Sequence, residues 1–201
     1  MELFEMILNE ELLNNGVNAI SLVGSPAIES NFIAMSKTNI QLAEVDKEKR
    51  ILIGAVLIPD KPILRNDDHN INGGNPFNIF FTKETVRKVM ENYHINLRNN
   101  NTTLEHSGSV PNITVIESWI KEDEQKDKSA LFNLSDPVGT WYVTMKVNNE
   151  DIWTEFVKTG NVKGFSIEGF FNPKKTALTT HEQKLEAIKN IINEFENSTN
   201  T

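Results

Sequence analysis

Apolar residues along the chain fall mostly into short runs of strand length, parted by turns rich in Asn, Gly and Pro, and a helical period shows in only two or three places. Residues 2–9 and 17–23 are apolar segments separated by Asn14-Asn15-Gly16. Asn and Gly tolerate the positive φ of a tight turn, so the pair is expected to form two strands able to close a hairpin. Pro26 ends the second, and Asn31 to Met35 predicts a third short strand. The polar stretch 37–49 reads as a loop. Arg50 to Ile58 is an unbroken apolar run, partly β-branched and stopped by Pro59-Asp60, as expected of a central strand. Residues 66–76, dense in Asn, Asp, Gly and Pro, predict a surface loop.

Beyond a short apolar piece, Phe77 to Phe81, Thr82 stands at a helix cap, and Val86, Val89, Met90 and Tyr93 follow at helical spacing. A short strand then ends at His106, and Ile113 to Ile120 predicts another with Ile113, Val115, Glu117 and Trp119 on one face. After a charged loop at 121–129, Thr140 to Val147 alternates as a strand does. Asn148-Asn149 caps a helix carrying Ile152, Trp153, Phe156 and Val157, and Gly160 stops it. Val162 to Phe171 predicts the final strand, closed by Pro173 and two lysines. In the tail, Thr179-Thr180-His181-Glu182 is a capping box for an amphipathic helix whose apolar stripe is Leu185, Ile188, Ile191, Ile192 and Phe195.

About eight short strands with few helices argue for an antiparallel, barrel-like sheet with peripheral helices, not for alternating β and α units. The expected class is α+β, mainly β. Residues 1–175 are expected to form one domain, and 176–201 a C-terminal amphipathic helix with a polar tail.

Composition narrows the function. With 201 residues, 38% hydrophobic and 24% charged, the chain has the makings of one well-buried core. Its 28 acidic and 20 basic residues give a formal charge of −8, which argues against a nucleic-acid partner. The absence of cysteine removes disulfides, thiolate zinc sites and cysteine nucleophiles together. No run approaches the ~18 apolar residues of a membrane span. The start, Met1-Glu2-Leu3-Phe4-Glu5, lacks the basic flank of a secretion signal. A cytosolic chain with no membrane partner is therefore expected.

The histidines His69, His94, His106 and His181 show no helical pair spacing, so neither a metal nor another cofactor is expected. Gly73-Gly74 lacks the Lys-Ser/Thr of a phosphate loop, and no Gly-x-Ser-x-Gly elbow is present. Ser166 stands out, set between Gly164 and Gly169 in a segment otherwise made for burial. On a strand it shares a face with Glu168 while Phe165 and Ile167 point the other way. His106, in Leu104-Glu105-His106-Ser107-Gly108, is of the type that accepts a serine proton near neutral pH. Read alone, Ser166 is more simply a small residue on a half-exposed strand, and His106 a loop histidine with no task.

Taken together, several segments are specific: Ala19 to Ile28, Leu57 to Ile63, Leu104 to Gly108, Glu117 to Ile120, Pro137 to Trp141 and Lys163-Gly164-Phe165-Ser166-Ile167-Glu168-Gly169-Phe170-Phe171. In these the chain resembles the XkdF-type serine proteases of phages and prophages, relatives of prohead proteases with an assemblin-like fold. The resemblance implies His106 as general base and Ser166 as nucleophile. It also implies scaffold protein and major capsid protein as substrates, and action in the host cytoplasm inside the assembling prohead; a homo-oligomer is compatible with it. In many prohead proteases a Ser-Leu-Val strand follows the nucleophile and carries an acid just before it. Here the similar segment, Ser21 to Ala27, stands at the beginning, as if circularly permuted, and the acid's position falls on Ala19 or Asn18. Glu168, which shares the face of Ser166, and Glu117 are the candidates for the third catalytic group.

Overall fold

The structure, a computed structural model, describes residues 1–9, 15–29, 33–35 and 49–176. The tail helix, and all but the last residue of the loop expected at 37–49, lie outside them. The described chain is mainly β, with eleven strands and two short helices. In chain order these are β1 (Leu3–Ile7), β2 (Gly16–Val23), β3 (Ile33–Met35), β4 (Ile51–Leu57), β5 (Ile63–Arg65), β6 (Phe77–Phe80), α1 (Lys83–Ile95), β7 (Thr102–Leu104), β8 (Ile113–Ile120), β9 (Trp141–Val147), α2 (Glu150–Ile152), β10 (Gly164–Phe170) and β11 (Asn172–Lys175).

Three sheets result, ordered β11-β1-β6-β5, β10-β2-β7 and β3-β4-β9-β8. Most pairings are antiparallel; β1 with β6 and β2 with β7 run parallel. Among the described residues the expected barrel does not close. After Phe170 the chain runs on into β11, which pairs with β1 in a different sheet, while β10 packs against β4 without a ladder between them. The expected hairpin of residues 2–9 and 17–23 is also absent, since β1 sits between β11 and β6 and β2 between β10 and β7. Gly16, at φ +86°, redirects the chain toward its second sheet.

Other expectations hold closely. β4 is an interior strand between β3 and β9, and Thr82 caps α1 by accepting the Thr85 N–H. Asn149 caps α2 by accepting the Ile152 N–H; the helix then widens into a π turn at Trp153–Val157, and Gly160 ends the segment at φ +75°. On β8, a bulge at Ile116 moves Glu117 opposite Thr144. Glu117 and Trp119 therefore face away from Ile113 and Val115, and the single shared face expected for the four is split.

The centre of the functional region is β2. Its Ile20 and Leu22 are fully buried on one face, and their cross-strand partners on β10 are Ile167 and Phe165. Complete burial of such side chains contributes roughly 1.5–3 kcal/mol each, so this greasy face fixes the register of β10 on β2. The start of β2 is pinned to α1 by the buried Arg98, whose guanidinium donates to the carbonyls of Val17 at 2.8 Å and Asn15 at 3.3 Å and to Asn92 Oδ1.

At the far end of β10 the two strands come too close for a side chain. A Cβ on Gly169 would lie 2.0 Å from the carbonyl oxygen of Gly16. Gly169→Ala is expected to force the strands apart at a cost of about 1–3 kcal/mol. The melting temperature should fall by several degrees, read by circular dichroism, at about 2–4 °C per kcal/mol for a chain of this size. An unchanged melting temperature would contradict this packing.

Candidate active site

The opposite face of the same sheet is polar, and strand pairing assembles it. Ser166 on β10 lies directly across from Ser21 on β2, and Ser21 directly across from Thr103 on β7. Paired residues point their side chains to one side, so the three hydroxyls form a row across the sheet. Glu168, two residues beyond Ser166, points the same way and is paired with Ala19. The methyl of Ala19 leaves the space above β2 open. Through it the Glu168 carboxylate reaches β7, where Oε1 accepts from Thr103 Oγ1 and lies 3.1 Å from His106 Nδ1.

His106 does not end the strand, as the sequence suggested, but stands two residues past it. Glu105 and His106 are consecutive left-handed residues, at φ 49° and 57°. Such conformations cost of order 1–3 kcal/mol each and persist only where the surroundings impose them. Here the constraint is a set of bonds to β2: the Glu105 N–H donates to Leu22 O at 3.0 Å, Glu105 Oε1 accepts the Gly24 N–H at 2.7 Å, and the His106 N–H donates to Ser21 Oγ at 3.1 Å. The strained turn aims the imidazole back over the sheet at Glu168.

An ionised carboxylate only accepts, so the Glu168 contact sets the ring proton on Nδ1 and leaves Nε2 of the neutral imidazole as the basic nitrogen. Ser166 is buried, at 8% exposure, not half-exposed as the plainer reading of its strand has it. Its hydroxyl makes no hydrogen bond to the His106 ring. His106 and Glu168 are more open, with side chains 45% and 32% exposed.

Of the two candidate carboxylates, the fold therefore brings Glu168 to His106. Glu117 belongs to a different sheet and is engaged by Lys128 Nζ and by Thr144 Oγ1, the latter at 2.8 Å. Two positioning residues, Ser21 and Thr103, were missed by sequence reasoning. Nothing marks either in the sequence without the strand register that places Ser21 beside Ser166 and Thr103 beside Ser21. His94 sits at the end of α1 with Nδ1 3.3 Å from Asn99 Oδ1, His69 lies on the 66–76 loop, and His181 falls outside the described residues. No cluster of three or more potential metal-ligating His, Asp or Glu side chains occurs among the described residues, and none of their helices is long and apolar enough to cross a membrane.

A serine, an imidazole and a carboxylate on one polar sheet face are the side chains with which a serine hydrolase works. The family model described as "Putative phage serine protease XkdF" matches residues 39–174, and the chain belongs to that family. No curated protein and no solved structure matches it.

Glu117 offers a check on its structural role. Donation from Lys128 holds its carboxyl below the usual range; burial opposes this, and the Thr144 hydroxyl adds to it. A carboxyl whose folded pKa is depressed contributes stability above its unfolded pKa and loses it as pH falls through the folded value. Glu117→Gln should thus be less stable than wild type at neutral pH, by about 1 kcal/mol or less because the pair is partly solvated. The gap should close in acid. Urea unfolding of both proteins at neutral and acidic pH measures it, and a gap that widens in acid would contradict the assignment.

Proposed function

We propose that this chain is a prohead protease, a serine endopeptidase that cleaves scaffold and capsid proteins inside the assembling phage head in the host cytoplasm. The observation that carries the reading is the contact between Glu168 and His106 Nδ1, made on the sheet face that also bears Ser166. Ser166 Oγ attacks the peptide carbonyl, and His106 Nε2 accepts its proton and returns it to the leaving amine. Glu168 holds the ring and stabilises the imidazolium, and water resolves the acyl-enzyme. In this reading the sheet is an assemblin-like relative in which the strand that usually follows the nucleophile is β2, moved to the front of the chain. The acid that strand usually supplies is replaced by Glu168 on the strand beside it.

The reading requires hydroxyl and imidazole to come into bonding distance once substrate is bound; catalytic hydrogen bonds are often long in the free enzyme. The low exposure of Ser166 and its missing bond to His106 favour a second reading, a capsid assembly protein that retains the fold without catalysis.

A fluorophosphonate probe separates the two. The protease reading expects covalent labelling at Ser166, absent in Ser166→Ala and slowed about 10²- to 10⁴-fold in His106→Ala. It also expects co-expressed scaffold protein to be cut by wild type and left whole by Ser166→Ala. An inert Ser166 in a folded chain that binds capsid protein would establish the second reading instead.

A further inference from the structure

Behind the strand that carries Ser166 lies a cavity of about 290 Å³, on the face opposite the polar row. Ile167, Gly169 and Phe171 form one wall, alternating with Ser166 and Glu168 along the chain. Phe77, Ile79 and Phe81 from β6 and its end face them. Arg65, at the end of β5, lines the same cavity.

Arg65 is half-buried, yet its guanidinium makes no hydrogen bond or ion pair among the described residues. The other three arginines all have partners. Arg50 pairs with Glu150, Arg87 with Glu122, and Arg98 with the carbonyls at the start of β2. Nearby acids leave Arg65 unanswered. The Asp67 carboxylate is taken up by the N–H groups of Ile71, Asn72 and Gly74, and Asp68, on the cavity rim, makes no ion pair with Arg65. A partly desolvated guanidinium with five donors and no acceptor is poised for a planar anion, and a carboxylate matches its fork with two parallel bonds.

We propose that this cavity is a docking site for an acidic segment of the peptide substrate, with Arg65 holding a carboxylate and the aromatic walls receiving the apolar side chain next to it. The peptide nature of the ligand rests on the protease reading; the carboxylate and its apolar neighbour rest on the cavity itself. The volume stands at the lower edge of ligand pockets, about 300 Å³, so it takes one or two side chains and not a folded partner. Because the cavity backs onto β10, the occupant is held on the nucleophile's own strand, remote from the bond to be cut.

The test uses full-length Ser166→Ala, which binds without cleaving, and two probes, acetyl-Phe-Glu-amide and acetyl-Phe-Gln-amide. Binding followed by amide chemical shifts should favour the Glu peptide about tenfold or more, the size expected when a charged hydrogen bond is gained. Shifts should centre on Ile71, Ile167 and Gly169. In the added Arg65→Met background the two peptides should bind alike, while Arg65→Lys keeps part of the preference. Equal affinities in the Ser166→Ala protein, a preference that survives Arg65→Met, shifts centred elsewhere, or no binding of either peptide would each overturn the proposal. The first comparison needs no change at Arg65, so a poorly folded variant does not blunt it. Peptide discrimination together with an unlabelled Ser166 would uphold the cavity while removing the protease reading. Labelling without discrimination would do the reverse.

Discussion

The functional region depends on one strand being shared by two others. β2 accepts β10 along one edge and β7 along the other, and every polar group of the candidate site is carried by these strands or by the turn leaving β7. The apolar face of β2 sets the register: Ile20 and Leu22 are fully buried, and Phe165 and Ile167 of β10 fall opposite them. A slip of one residue would turn Phe165 toward the polar side and Ser166 into the core, so the hydrophobic pattern that holds the sheet together also decides which hydroxyl joins the polar row. The geometry of the candidate site is a by-product of core packing on the reverse side.

That dependence explains what was legible in the chain. The alternation around Ser166 was enough to put Ser166 and Glu168 on one face, because period-2 exposure is a local property. Thr82 and Asn149 announced their helices because capping is also local. Partners were not legible. The pairings of β1 with β6 and of β2 with β7 link segments far apart in the chain, and parallel neighbours leave no turn signature between them. The hairpin and closed-barrel expectations failed for this reason. Both assumed that strands adjacent in sequence or similar in pattern would be neighbours in space. The placement of Glu117 failed differently, since one bulged residue, Ile116, was enough to turn it to the other face of β8.

The site itself was half visible. His106 and Ser166 stood out by residue type and by family likeness, but the turn that orients His106 did not. A Glu-His pair gives no hint of two consecutive left-handed residues, a conformation more at home in Gly or Asn. It is maintained from outside, by Leu22, Gly24 and Ser21 of the strand β2 and its end. The strain belongs with the candidate site because it lifts the imidazole off the strand path and sets Nδ1 against Glu168.

Ala19, directly across from Glu168, then takes on a physical meaning. A carboxylate at residue 19 and one at residue 168 would be direct cross-strand neighbours on one face, where like charges repel. A single acid on this pair of positions avoids that repulsion. With alanine at 19, the Glu168 side chain passes over β2 and meets both Thr103 and His106. The small residue on one strand and the acid on the next are two halves of a single solution, in which a carboxylate on β10 reaches across β2 to the histidine beyond β7.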